Sequence, residues 1–155
     1  MGMDVWGQKP TSKEGEYFRN NVWFWRPLAD YAQEVAPEEC KPCKSWHYND
    51  GDGLNERQAN RLAEKLEQEL YSGRCAAYAD EYKKTIDALP LVPCKICDGT
   101  GKRLPVPQVG AGDEPCRACD NTGKQPDHDT HYPFTTENVK EFVEFLKHSG
   151  GFEIW

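Results

Sequence analysis

Four cysteines in two pairs constrain this chain more than any other feature. Cys94-Lys95-Ile96-Cys97-Asp98-Gly99-Thr100-Gly101 is followed, after a Pro- and Gly-rich insert, by Cys116-Arg117-Ala118-Cys119-Asp120-Asn121-Thr122-Gly123. One unit is written twice. Two Cys-x-x-Cys pairs with eighteen residues between them have the spacing of a four-thiolate structural zinc site. Each pair forms a knuckle, in which backbone N–H groups beyond the second Cys turn toward the sulfurs and offset their charge. Gly99, Gly101 and Gly123 suit this because they reach positive φ without a Cβ clash. Four thiolates fill a tetrahedral shell and leave no position for a reacting water, so Cys94, Cys97, Cys116 and Cys119 are expected to hold a structural ion. The alternative is disulfides. Met1-Gly2-Met3 lacks the charged and apolar regions of a secretory leader, so the expected compartment is the cytoplasm, where thiols stay reduced.

The repeat resembles half of the cysteine-rich zinc domain of DnaJ-type co-chaperones, written Cys-x-x-Cys-x-Gly-x-Gly. Cys94 to Gly101 matches every fixed position; Cys116 to Gly123 departs at Asn121, where the first Gly belongs. Asn tolerates a left-handed backbone better than most residues, so the turn is expected to survive. The family domain has four repeats and two ions, against two repeats here, and no His-Pro-Asp signature precedes them. The resemblance therefore implies a zinc-knuckle pair and not chaperone activity.

Charge restricts the partners. With 26 acidic and 19 basic residues the chain carries a formal net charge of -7, which repels a phosphate backbone at long range. Zinc ribbons often bind nucleic acid, and Lys95, Lys102, Arg103, Arg117 and Lys124 cluster on this one; they are read as a solvated face. Nothing approaches the apolar run needed to span a bilayer.

The N-terminal region is dense in aromatics: Trp6, Tyr17, Phe18, Trp23, Phe24, Trp25 and Tyr31. The run Asn20 to Leu28 predicts a buried strand or the start of a helix. Its rings are either the main core or, with Asn20, Asn21, Trp23, Trp25 and Arg26, the wall of a small-molecule pocket. Met3-Asp4-Val5 and the block Gly15 to Trp23 resemble the opening of a group of small bacterial and bacteriophage proteins with a zinc-knuckle C-terminal half. That resemblance implies kinship over most of the chain and supplies no mechanism.

Cys40-Lys41-Pro42-Cys43, with His47 beyond, offers three ligands of a possible second zinc site that Cys75, His128 or His131 would complete. Its rivals are a redox dithiol and two ordinary thiols on a loop. Asn49-Asp50-Gly51-Asp52-Gly53 looks like a calcium loop but has no Glu in the twelfth place, and is read as a turn. The two histidines of Asp127 to Pro133 can bind metal, act as acid and base, or sit hydrogen-bonded at the surface.

Periodicity predicts three helices. Asn55 and Gln58 form a capping box before the stripe Ala59, Leu62, Ala63, Leu66 and Leu70, which Gly73 closes. A second helix from Arg74 to Leu89, with Cys75, Ala79, Tyr82, Ile86 and Leu89 inward, makes an antiparallel pair with the first. Thr135 or Thr136 caps a third, with Val139, Phe142, Val143 and Leu146 inward. Phe152 to Trp155 predicts a strand pairing near Val5 or Val22.

The expected fold is thus an α-rich α+β domain spanning residues 1–155. A helical hairpin and a C-terminal helix pack on the aromatic segment, and a zinc hairpin subdomain at 91–124 is inserted before the last helix. The leading functional expectation is an intracellular zinc-binding protein, with one ion, or two if the Cys40 motif binds a second, acting through a protein partner. The alternatives are a ligand-binding protein or enzyme using Asn21, Trp23, Trp25, Arg26, Asp50 and His131, and a nucleic-acid-binding ribbon.

Overall fold

A computed structural model describes residues 2–155. The chain divides into two compact units, one built from the residues up to Lys83 together with Tyr132–Trp155, the other from Lys84–His131. The fold is mixed α+β and helix-rich, as the sequence predicts.

The larger unit begins with β1 (Gly2–Gly7), which alternates Met3 and Val5 inward against Asp4 and Trp6 outward. A short 3₁₀ turn leads to β2 (Tyr17–Asn21), which turns Phe18 and Asn20 inward. Asn21 ends that strand and caps the next element, its side chain accepting from the Phe24 N–H at 3.0 Å. α1 (Val22–Val35) then buries Trp25, Leu28, Ala29 and Ala32, the spacing of one helix face. The aromatic block is therefore a strand that becomes a helix.

After the short α2 (Pro37–Cys40) and a loop, β3 (Gly53–Asn55) runs into α3 (Glu56–Tyr71). Both arms of the expected capping box form, Asn55 and Gln58 each accepting from the other's backbone at 3.0 Å. Ala59, Leu62, Ala63 and Leu66 are buried and Leu70 half-buried. α4 (Arg74–Asp87) follows at once. On it only Cys75 is fully buried; Ala79, Tyr82 and Ile86 of the expected stripe are half-buried, and the helix stops at Asp87, short of the half-buried Leu89. The helix along which α3 lies is α5 (Thr136–Ser149). Thr135 caps α5, and Gly150 ends it in the left-handed region at φ 62°. The last strand, β8 (Gly151–Ile154), pairs with β1 so that Ile154 stands opposite Val5, as expected, and also with β3.

These strands form one antiparallel sheet in the order β2-β1-β8-β3. Its inner face meets the helices through a ring cluster: Phe18 lies 5.2 Å from Phe142 and 5.7 Å from Phe145, and Trp46 lies 5.8 Å from Phe152. Trp25 stacks on Trp46 at 6.2 Å and meets Phe142 edge-on at 5.7 Å.

The smaller unit contains two minimal ladders: β4 (Val92–Pro93) pairs with β7 (Lys124–Gln125), and β5 (Lys102–Arg103) pairs with β6 (Glu114–Pro115). Strands of two residues bury almost nothing, so something other than sheet formation must hold this unit together. Among the described residues no helix is long and apolar enough to cross a membrane.

Candidate metal centre

That other element is the cysteine cluster. The core of the smaller unit consists of Cys94, Cys97, Cys116 and Cys119, with Ile96 packed against them. One ligand atom from each of the four lies within 4.8 Å of all the others. Cys94 Sγ stands 4.0 Å from Cys116 Sγ, and Cys97 Sγ stands 3.8 Å from Cys119 Sγ. Sulfurs at the corners of a tetrahedron with metal–sulfur bonds of about 2.3 Å are about 3.8 Å apart, so the cage is already close to the size of a tetrathiolate ion site. The four are free cysteines. The donor set fits a soft tetrahedral ion such as zinc.

The two knuckles repeat atom for atom. Gly101 N–H points at Cys97 Sγ from 3.3 Å, and Gly123 N–H at Cys119 Sγ from 3.3 Å. The Thr100 hydroxyl donates to the Cys97 carbonyl at 2.7 Å, and that of Thr122 to the Cys119 carbonyl at 2.6 Å. The chain crosses from one knuckle to the other through Cys94 N–H to the Gly123 carbonyl and Cys116 N–H to the Gly101 carbonyl. Asp98 and Gly99 take positive φ in the first knuckle, and Asp120 and Asn121 in the second, Asn121 at 63°. Asn121 therefore fills the left-handed place of the missing glycine. The two threonines are the positioning residues that the spacing argument passed over; the signal for them was the repeated Asp-x-Thr-Gly after each pair.

Electrostatically the cluster is polarised. Burial works to raise the Cys97 thiol, but the Gly101 amide and then the neighbouring sulfurs overrule it and bring it down to about 7. Cys116 is pushed up to about 11, chiefly by burial and then by Cys119. The Gly101 and Gly123 amides aimed at Cys97 and Cys119 favour the thiolate form that metal binding requires.

The Cys40–Cys43 motif belongs elsewhere. Both cysteines are buried in the core of the larger unit, and Trp46 Nε1 donates to the Cys40 carbonyl at 3.2 Å. His47 Nε2 lies 2.9 Å from Asp30 Oδ1, and its Nδ1 is buried without a partner. Burial pushes each thiol up to about 12, with the neighbouring Cys43 and Asp52 as the next causes for Cys40 and Cys43 respectively. Among the described residues, the Cys94–Cys119 group alone brings three or more candidate ligands together. Among the described residues no third candidate ligand stands with Cys40 and Cys43, so the expected second site is not assembled here. The acidic turn is structural: Asp52 accepts from the amides of Lys44, Ser45 and Gly53.

The expected aromatic pocket loses its central ring. Trp25 has no exposed surface, and its Nε1 donates to the Trp46 carbonyl at 2.6 Å; it cannot line a cavity. Asn21 caps the helix and also lines an open cleft with Arg19, Asn20 and Asn138. Trp23 packs on Tyr132 at 4.9 Å, and the Arg26 guanidinium stands 5.8 Å over the same ring. Asp50 accepts from the Asp52 amide at 3.2 Å. His131 belongs to the smaller unit, where it lines a cleft with His128 and Lys95. Lys95, Lys102, Arg117 and Lys124 are exposed, while Arg103 is half-buried and donates to the carbonyls of Leu104 and Gln108.

Compared with models of known families, with curated proteins and with solved structures, the chain finds no match.

Proposed function

We propose that this chain is an intracellular zinc-binding protein whose one four-thiolate ion is structural, and that it works as a non-enzymatic accessory through contacts with another protein. The N-terminal resemblance adds a bacterial or phage setting. The observation that carries the reading is the closed, duplicated cage of Cys94, Cys97, Cys116 and Cys119, all buried, with a backbone amide on a sulfur in each half. A tetrathiolate shell has no open position for substrate or water, so the ion serves folding. The residues around it bury too little to order themselves, and zinc would contribute on the order of 10 kcal/mol to that ordering. Residues 91–124 are then a zinc-dependent subdomain of an otherwise metal-independent domain.

Native mass spectrometry of the purified chain is expected to find one zinc. Chelation is expected to abolish hydrogen-exchange protection across 91–124 while α1, α3 and α5 keep theirs. Two ions per chain, or a hairpin still protected after metal removal, would overturn the reading.

A further inference from the structure

The helices cover one face of the four-stranded sheet; the other carries side chains that the core does not use. Strand register arranges them in two rows. Arg19 stands opposite Asp4 and Tyr17 opposite Trp6 across β2 and β1. Trp6 stands opposite Glu153 across β1 and β8, and Trp155 exchanges both backbone hydrogen bonds with Asp4. Trp6 is 49% exposed, Trp155 53% and Tyr17 38%, so three large rings face solvent on one sheet. Trp6 and Tyr17 are in contact, with centroids 4.4 Å apart.

The two halves of this face differ in one respect. On the β2 side a guanidinium is already in place: Arg19 Nε lies 3.8 Å from Asp4 Oδ1, and the Tyr17 hydroxyl donates to the same carboxylate. On the β8 side Glu153 receives only neutral donors, Trp155 Nε1 at 3.1 Å and Gln8 Nε2 at 3.4 Å. Among the described residues Glu153 has no ion-pair partner. Trp6 stands opposite this carboxylate in register and Trp155 donates its indole N–H to it, and among the described residues no cation is paired with it.

We propose that Trp6, Glu153 and Trp155 form a docking site for an arginine or lysine side chain of a basic protein segment. The faces of indole rings attract cations, the carboxylate supplies the counter-charge, and the net charge of -7 steers a basic partner while repelling nucleic acid. The site deepens the protein-contact part of the proposed function and rests on that part alone, since it lies in the unit without the cysteine cage.

The test uses the full, zinc-loaded chain and a short capped arginine–glycine peptide, followed by indole fluorescence and by amide NMR shifts. Shifts are expected on β1 and β8, with binding that weakens as salt rises. Trp6→Ala and Glu153→Gln are each expected to weaken binding about five-fold, the scale of a half-exposed cation–π contact. Tyr71→Ala, at a ring 84% exposed elsewhere, should leave it unchanged. Glu153→Gln keeps the side-chain shape, so a loss there is not a folding defect. Peptide binding indifferent to both variants would overturn this site and leave the protein-contact reading standing. Preferential binding of an acidic peptide or of single-stranded DNA, no binding of the basic peptide, or self-association through this face would also overturn the site. The metal count on the same sample reports on the zinc reading independently.

Discussion

The backbone of Gly123 passes so close to that of Gly99 that a Cβ on Gly123 would stand 2.1 Å from the Gly99 carbonyl oxygen. Gly123 also sits at φ 73° and places its amide 3.3 Å from Cys119 Sγ. Conformation, approach and sulfur hydrogen bond all depend on the missing side chain. Gly123→Ala is therefore expected to weaken zinc binding about ten-fold in a chelator competition, since about 1.4 kcal/mol lies within the range of such backbone strain. Asn121→Gly, which restores the repeat at a left-handed position, is expected to hold zinc as tightly as the natural chain or tighter. Equal loss in both variants would show that backbone conformation is not what the knuckle demands.

Thiol reactivity should separate the seven cysteines into two classes. The buried thiols of Cys40 and Cys43, pushed up to about 12, are expected to resist iodoacetamide in the native protein at neutral pH, and buried Cys75 with them. Chelation should expose Cys94, Cys97, Cys116 and Cys119 alone. Peptide mapping by mass spectrometry reads this directly. Rapid native modification of Cys40 or Cys43 would bring back the redox reading of that motif.

Trp25 is fully buried, and its indole N–H satisfies the Trp46 carbonyl. Trp25→Ala is expected to cost about 3–5 kcal/mol of stability. Trp25→Phe, which keeps much of the ring but abandons that carbonyl, should cost about 1–3 kcal/mol. Urea unfolding followed by circular dichroism measures both. A change below about 0.5 kcal/mol in Trp25→Ala would contradict a packed ring and reopen the pocket.

Acid stability should depend on Asp52. Burial pulls its carboxyl upward, but the amides of Lys44, Gly53 and Ser45 outweigh that and hold it below the ordinary carboxylate value. A carboxylate depressed in the folded state contributes stability above its unfolded pKa, about 3.9, and loses it as pH falls through the folded value. Asp52→Asn is thus expected to be less stable than the natural chain at neutral pH. Its deficit should shrink as pH falls below about 4, when the natural carboxyl also becomes neutral. A deficit that stays constant down to low pH would mean that the charge of Asp52 plays no part.

Local rules made much of this protein legible from its residues alone. Cysteine spacing determined the cage because each Cys-x-x-Cys turn is local, and two such turns bring four sulfurs within 4.8 Å of one another. Side-chain periodicity and caps placed α3 and α5, and Asn121 showed in advance how the imperfect repeat keeps its turn, because these signals act within a few residues. Tertiary structure decided the rest. Tyr17 and Phe18 are neighbours in sequence, yet strand alternation sends Phe18 into the ring cluster and Tyr17 to solvent, and a block of unbroken aromatics does not announce which parity is inward. Cys40 and Cys43 carry the same spacing as the Cys94–Cys97 and Cys116–Cys119 pairs, but both are buried in the core of the larger unit, and among the described residues no third candidate ligand stands with them. Spacing specifies which atoms can meet along the chain; only the packing of distant segments decides which of them remain free to bind.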